Sequence, residues 1–158
     1  MTAHSIAYSL DGAPSVAGTW LAARGVGLLN VYSTRNLGDA AIMRSIASMA
    51  GARQVVGSVR DAQPLAVAGV KIAAVLPACR HYVSVGGDIF NNSRPRFVTR
   101  HFVRNLLELH AKRDRAIVFG QTVPGSCRGL ALTLLAQTLR QTRSVVVRDL
   151  ESARILSE

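Results

Sequence analysis

Gly25-Val26-Gly27-Leu28-Leu29-Asn30-Val31 is an apolar run of strand length. A polar stretch, 32–38, separates it from a segment, 39–50, in which Ile42, Ile46 and Met49 recur at helical spacing. A buried strand, a short polar loop and a helix make one β-α unit. The alternation continues along the chain. Apolar blocks at 54–59, 70–76, 81–85, 116–120 and 144–147 read as strands, 96–113 and 130–140 as helices, and 150–156 as the start of another helix. Strands interleaved with helices in this way predict an α/β fold: an open, mostly parallel Rossmann-like sheet with helices on both faces.

Composition agrees with one sizeable core. The chain has 158 residues, 49% of them hydrophobic and 18% charged, which excludes a disordered chain. Arg24, Arg53, Arg60, Lys71 and Arg80 interrupt the apolar stretches, so none reaches the roughly 20 residues that a membrane span needs. Residues 1–23, with Gly12, Pro14 and Gly18, show no sustained period and no basic-then-apolar leader. They are expected to be an irregular lead-in to a Rossmann-like domain over 24–158. The expected location is the cytoplasm, or the periphery of the inner membrane. Cys79 and Cys127 are too few for a disulfide framework and lack the spacing of a zinc site, so both are expected to be buried apolar residues.

The formal net charge is +10, which raises the question of an anionic partner. Only Lys71 and Lys112 are lysine, the other basic residues being arginine, and the arginines are scattered. Their densest stretch, Arg94, Arg96, Arg100 and Arg104, is interleaved with Phe97 and Phe102 alone, a weak nucleic-acid signature. The motifs of dinucleotide, P-loop, serine-hydrolase and zinc-protease sites are missing. His101 and His110, nine residues apart on one helical segment, read as solvated or packing residues.

Four segments follow predicted strands, where open α/β sheets place their ligands. In Thr34-Arg35-Asn36-Leu37-Gly38-Asp39, either Asn36 or Asp39 can cap the following helix, whose free N–H groups suit an anion or a sugar hydroxyl. A plain cap with the turn glycine Gly38 is the alternative. In Gly86-Gly87-Asp88-Ile89-Phe90-Asn91-Asn92, the glycines allow close approach to the backbone, and Asp88 and Asn91 can bind hydroxyls; a sharp turn is the alternative. Gln121, in Phe119-Gly120-Gln121-Thr122-Val123-Pro124-Gly125-Ser126, is expected to face the crevice, unless the segment is an ordinary turn. Arg148, in Val147-Arg148-Asp149-Leu150-Glu151-Ser152, ends an apolar strand. It suits a carboxylate or phosphate through a bidentate fork, or else a salt bridge to a neighbouring acid. All four loops are expected at the carboxyl edge of one sheet.

In order, Asn36-Leu37-Gly38-Asp39-Ala40-Ala41-Ile42, the Val83 to Asn92 segment, Val118-Phe119-Gly120-Gln121-Thr122-Val123-Pro124 and Val145-Val146-Val147-Arg148-Asp149-Leu150-Glu151-Ser152 resemble the polysaccharide pyruvyl transferase family. Val85 stands where many members carry a third glycine, and Pro124 where a Gly-Pro pair is common. The resemblance implies the N-terminal of two Rossmann-like domains of the glycosyltransferase-B type, with phosphoenolpyruvate as donor substrate and no other cofactor. The implied acceptor is a sugar of a cell-surface polysaccharide or its precursor. Arg148 is then the candidate catalytic ligand of the donor carboxylate or phosphate. Asn36, Gly38, Asp39, Gly86, Gly87, Asp88, Asn91 and Gln121 are candidate substrate-binding residues, and no metal site is expected. Family members are about twice this length, so the resemblance also implies a C-terminal domain; the apolar-rich composition is expected to leave surface that such a domain or a partner copy covers. The chain alone is not expected to turn over. A non-catalytic or truncated α/β binding module and a basic nucleic-acid-binding protein are the alternatives.

Overall fold

The structure, a computed structural model, describes residues 25–51, 54–92 and 97–157. The expected lead-in, 1–23, and the arginines Arg94 and Arg96 lie outside them. Six strands form one open sheet of order β3-β2-β1-β4-β5-β6. They are β1 (Val26–Leu29), β2 (Val55–Gly57), β3 (Val70–Ile72), β4 (His81–Gly87), β5 (Ala116–Gln121) and β6 (Ser144–Val147). The helices are α1 (Leu37–Met49), α2 (Arg100–His110), α3 (Leu130–Leu139) and α4 (Leu150–Ser157). The pairings of β1 with β2 and β4, of β2 with β3 and of β5 with β6 are all parallel. The α/β Rossmann-like class is therefore observed. The chain divides into two compact units, one running up to Val85 and the other from Gly86 onward.

In the first unit, β1 is buried along its whole length, as a parallel strand covered on both faces must be. It runs in register with β4, Val26 opposite His81 and Leu29 opposite Ser84. At the end of β1, Asn30 turns into the left-handed region with φ 61°. Its buried amide donates to Ser84 Oγ at 3.0 Å, satisfying two polar groups that would otherwise be costly in the core. The edge strand β3 is three residues long and presents Lys71 to solvent, which discourages further pairing. Helix α1 buries Met43, Ile46 and Ala47. The expected stripe of Ile42, Ile46 and Met49 is thus rotated: Met49 is 41% exposed, because small Ala47 and Ala50 complete the inward face instead.

In the second unit, α2 begins at Arg100, since Thr99 Oγ1 accepts from Phe102 N–H as its N-cap. It buries Phe102, Asn105, Leu106 and Leu109. His110 Nδ1 and Thr138 Oγ1, 3.4 Å apart, link α2 to α3. Helix 96–113 of the sequence reading is therefore shorter, and Arg113–Arg115 form a separate 3-10 turn. Cys79 and Cys127 are both buried. Burial pushes the Cys127 thiol up to about 11, so it is no nucleophile at neutral pH.

Candidate functional site

Each of the four motifs follows the carboxyl end of a strand: β1, β4, β5 and β6. Asn36, Gly38 and Asp39 belong to the first unit; Gly86, Gly87, Asp88, Asn91, Gln121 and Arg148 belong to the second.

In the first unit, Asn36 is the N-cap of α1, and its Oδ1 accepts from Gly38 N–H at 2.9 Å. Asp39 is not the cap. Its Oδ2 accepts from Ser33 N–H at 3.3 Å, which closes the loop between β1 and α1 from inside. Burial pushes the Asp39 carboxyl above its ordinary value; the Ser33 N–H opposes this, and the nearby Asp61 charge adds to it. The sequence reading missed Asp61. Its Oδ2 accepts from Thr34 N–H at 2.7 Å and from Thr34 Oγ1 at 2.9 Å. Ser33, then Thr34 and Arg35, hold the Asp61 carboxyl below its usual value against some desolvation. Thr34 Oγ1 also accepts from Leu65 N–H at 2.7 Å, so one buried hydroxyl ties the loop after β1 to the loop after β2.

In the second unit, β4 ends at Gly87, whose φ of 126° suits glycine and strains any other residue. The Gly87 carbonyl accepts from Thr122 N–H at 3.2 Å and from Gln121 Nε2. Gln121 does not line an open crevice: it is 1% exposed. The cause is local. Between Phe119 and Gln121 the register with β6 shifts, and Gly120, at φ 67°, is the extra residue of this bulge. The bulge turns the Gln121 side chain inward, where Oε1 is buried without a hydrogen-bond partner. Gln121 is a brace between the ends of β4 and β5.

The exposed polar groups lie beside that brace. Asn91 Nδ2 donates to Asp88 Oδ2 at 2.8 Å, and Ser126 Oγ donates to Asn91 Oδ1 at 3.1 Å. One amide thus joins the loop after β4 to the loop after β5. The loop after β4 is held from behind by two buried asparagines that the sequence reading did not single out. Asn92 Oδ1 accepts from Thr99 N–H at 2.9 Å, and Asn105 Nδ2 donates to the Ile89 carbonyl at 2.7 Å. Asn92 lies beside Asn91 in the quoted motif, a signal that could have found it. Asn105 had no such signal, being one polar residue on an amphipathic helix.

At the end of β6, Arg148 N–H donates to the Gln121 carbonyl at 3.0 Å, while its side chain is exposed. Among the described residues no carboxylate lies within salt-bridge distance of its guanidinium, so the salt-bridge alternative is not realised. Asp149 Oδ1 accepts from Ser152 N–H at 2.8 Å at the start of α4. The Ser152 side chain, then its N–H, with the Arg148 charge and Thr122 adding to them, hold the Asp149 carboxyl low against some desolvation. Fully buried Ser152 Oγ also accepts from Val123 N–H at 2.8 Å, which pins the loop after β5 to α4. Among the described residues no group of three His, Cys, Asp or Glu side chains could hold a metal ion.

The sequence model of one family, polysaccharide pyruvyl transferase, matches residues 36–158. The chain belongs to the polysaccharide pyruvyl transferase family. All four motifs lie within the matched residues. No curated protein and no solved structure matches the chain.

The low carboxyls give this pyruvyl transferase family member a pH signature. A carboxyl held low in the fold binds protons more readily once unfolded, so its stabilisation is present above the unfolded value and is lost as pH falls through the folded one. Asp61 and Asp149 act in this sense. Asp39, held high, acts oppositely, its contribution being lost as pH rises through its raised value. Asp149→Ala is expected to lower stability by about 1 kcal/mol at neutral pH through the lost cap. That difference should shrink as the pH of a urea titration falls below about 4, where the unfolded carboxyl is itself protonated. A difference constant down to acid pH would refute a role for the ionised cap.

Proposed function

We propose that the protein takes part in transferring the pyruvyl group of phosphoenolpyruvate to a sugar of a cell-surface polysaccharide or its precursor. Arg148 binds the donor's carboxylate or phosphate. Two sugar hydroxyls add to C2 of the enol; one of their protons makes the methylene a methyl group, the other leaves with the phosphate, and a cyclic ketal remains. Membership of the family supports this reading, and the observation that carries it is the exposed Arg148 guanidinium, which among the described residues has no carboxylate within salt-bridge distance. A planar fork of donors is suited to both anionic ends of phosphoenolpyruvate.

The Asp88, Asn91 and Ser126 array supplies acceptor and donor groups for sugar hydroxyls. Gly87 and Gln121 position that array through the end of β4 and do not touch the sugar. Asn36, Gly38 and Asp39 shape the start of α1. Among the described residues no helix is long and apolar enough to cross a membrane.

Phosphoenolpyruvate titrated calorimetrically into the protein and into Arg148→Ala tests the reading. Loss of a charge-assisted contact is expected to weaken binding by about 1.5–3 kcal/mol, which is roughly 10- to 150-fold. Equal affinities would remove Arg148 from the donor site.

A further inference from the structure

The solvent face of α2 carries a pattern that the transfer reaction does not use. Arg100, Val103, Arg104 and Leu107 follow the i, i+3, i+4, i+7 spacing of one helical stripe, opposite the buried Phe102, Asn105, Leu106 and Leu109. Leu107 is 59% exposed and Val103 38%, and at the amino end of the helix Phe97 is 71% exposed. Arg100 and Arg104 are exposed, and among the described residues neither has a carboxylate within salt-bridge distance. The stripe itself carries no acid; Glu108, the one acidic residue of α2, is half-buried and has its own partner. Large apolar side chains and unpaired guanidinium groups thus share one face.

We propose that this face of α2 docks on an anionic lipid bilayer, Arg100 and Arg104 meeting the headgroups while Phe97, Val103 and Leu107 enter the interface. Charge complementarity selects this occupant. A second copy laid face to face would set arginine against arginine with no acid between them. Among the described residues of this face duplex nucleic acid would find two cations, Arg100 and Arg104, and would press Val103 and Leu107 against its charged backbone. A bilayer interface accepts both components together, since headgroups attract the cations and the acyl boundary takes the apolar side chains. The surface is independent of the proposed reaction and stands or falls without it.

Sedimentation of the full chain with phosphatidylcholine vesicles containing about one-third phosphatidylglycerol tests the proposal. Binding is expected to weaken as salt screens the headgroups and to be much weaker on pure phosphatidylcholine. Each arginine near the surface is worth about fivefold in partitioning, so Arg100→Glu/Arg104→Glu should bind at least about 25-fold less. Leu107→Ser, which keeps the charges, should lose the part of the binding that survives high salt. Arg44→Glu/Lys71→Glu, exposed residues of the first unit with the same change in net charge, should stay within about threefold of the parent. Thermal unfolding of all variants checks that each is folded. Absent vesicle binding would overturn the proposal, as would equal losses in the two double variants. A duplex DNA affinity removed by Arg100→Glu/Arg104→Glu, with vesicle binding intact, would overturn it in favour of nucleic acid.

Discussion

Phe102→Ala is expected to remove about 3–5 kcal/mol of stability, read as a lower urea midpoint. Phe102 is fully buried and meets fully buried Phe90 edge to face, with ring centroids 6.1 Å apart and planes at 68°. Its loss removes a large apolar area and half of an aromatic pair, and leaves a cavity that neighbours on α2 can fill only in part. The site is affected as well, because Phe90 lies between Asp88 and Asn91. Once Phe90 loses its ring partner, the loop after β4 is held by Asn92 and Asn105 without its apolar anchor. Phosphoenolpyruvate or sugar binding by the folded fraction should weaken along with stability. Phe102→Leu, which keeps most of the volume, should cost less than about 1.5 kcal/mol. A Phe102→Ala cost near that of the leucine variant would refute the view that this pair anchors the loop.

The β-α rhythm was readable because buried parallel strands are continuous apolar blocks, and no tertiary information is needed to see one. Element ends were less readable. The expected helix 96–113 stops short at both ends because its start depends on a Thr99 cap and its finish on a turn through Arg113–Arg115, details that apolar spacing does not report. The phase of α1 was misread for a related reason, since alanine is ambiguous between faces. In the candidate site, motif position was legible and side-chain direction was not. Gln121 ends β5, one residue beyond the expected strand, yet one extra residue in β5 reverses which way it points. Asp61 escaped notice because its partner, Thr34, is 27 residues away in sequence. The position of Arg148 was legible, since an arginine ending an apolar strand is conspicuous in the sequence itself, and the structure places it just after β6 with an exposed side chain.

Tyr82→Ala should cost about 3–5 kcal/mol, and a second substitution at Gly27 should show why. Tyr82 is fully buried in β4, and its hydroxyl accepts from Cys79 N–H at 2.8 Å. A Cβ on Gly27 in β1 would sit 2.7 Å from Tyr82 Cδ1 and 2.8 Å from Cε1, distances that real contacts essentially never show. The ring cannot yield cheaply, because the hydroxyl tethers its far end and the Cys79 sulfur stands 3.2 Å from the same Cβ position. Gly27→Ala alone should therefore destabilise by about 2–3 kcal/mol through overpacking, although alanine is otherwise better tolerated than glycine in a strand. In the Tyr82→Ala background the obstructing ring is gone. There Gly27→Ala should cost under about 1 kcal/mol, a coupling of at least ~1 kcal/mol in the double-mutant cycle. Additive costs would mean that Gly27 is required for its backbone and not for the space it leaves the ring.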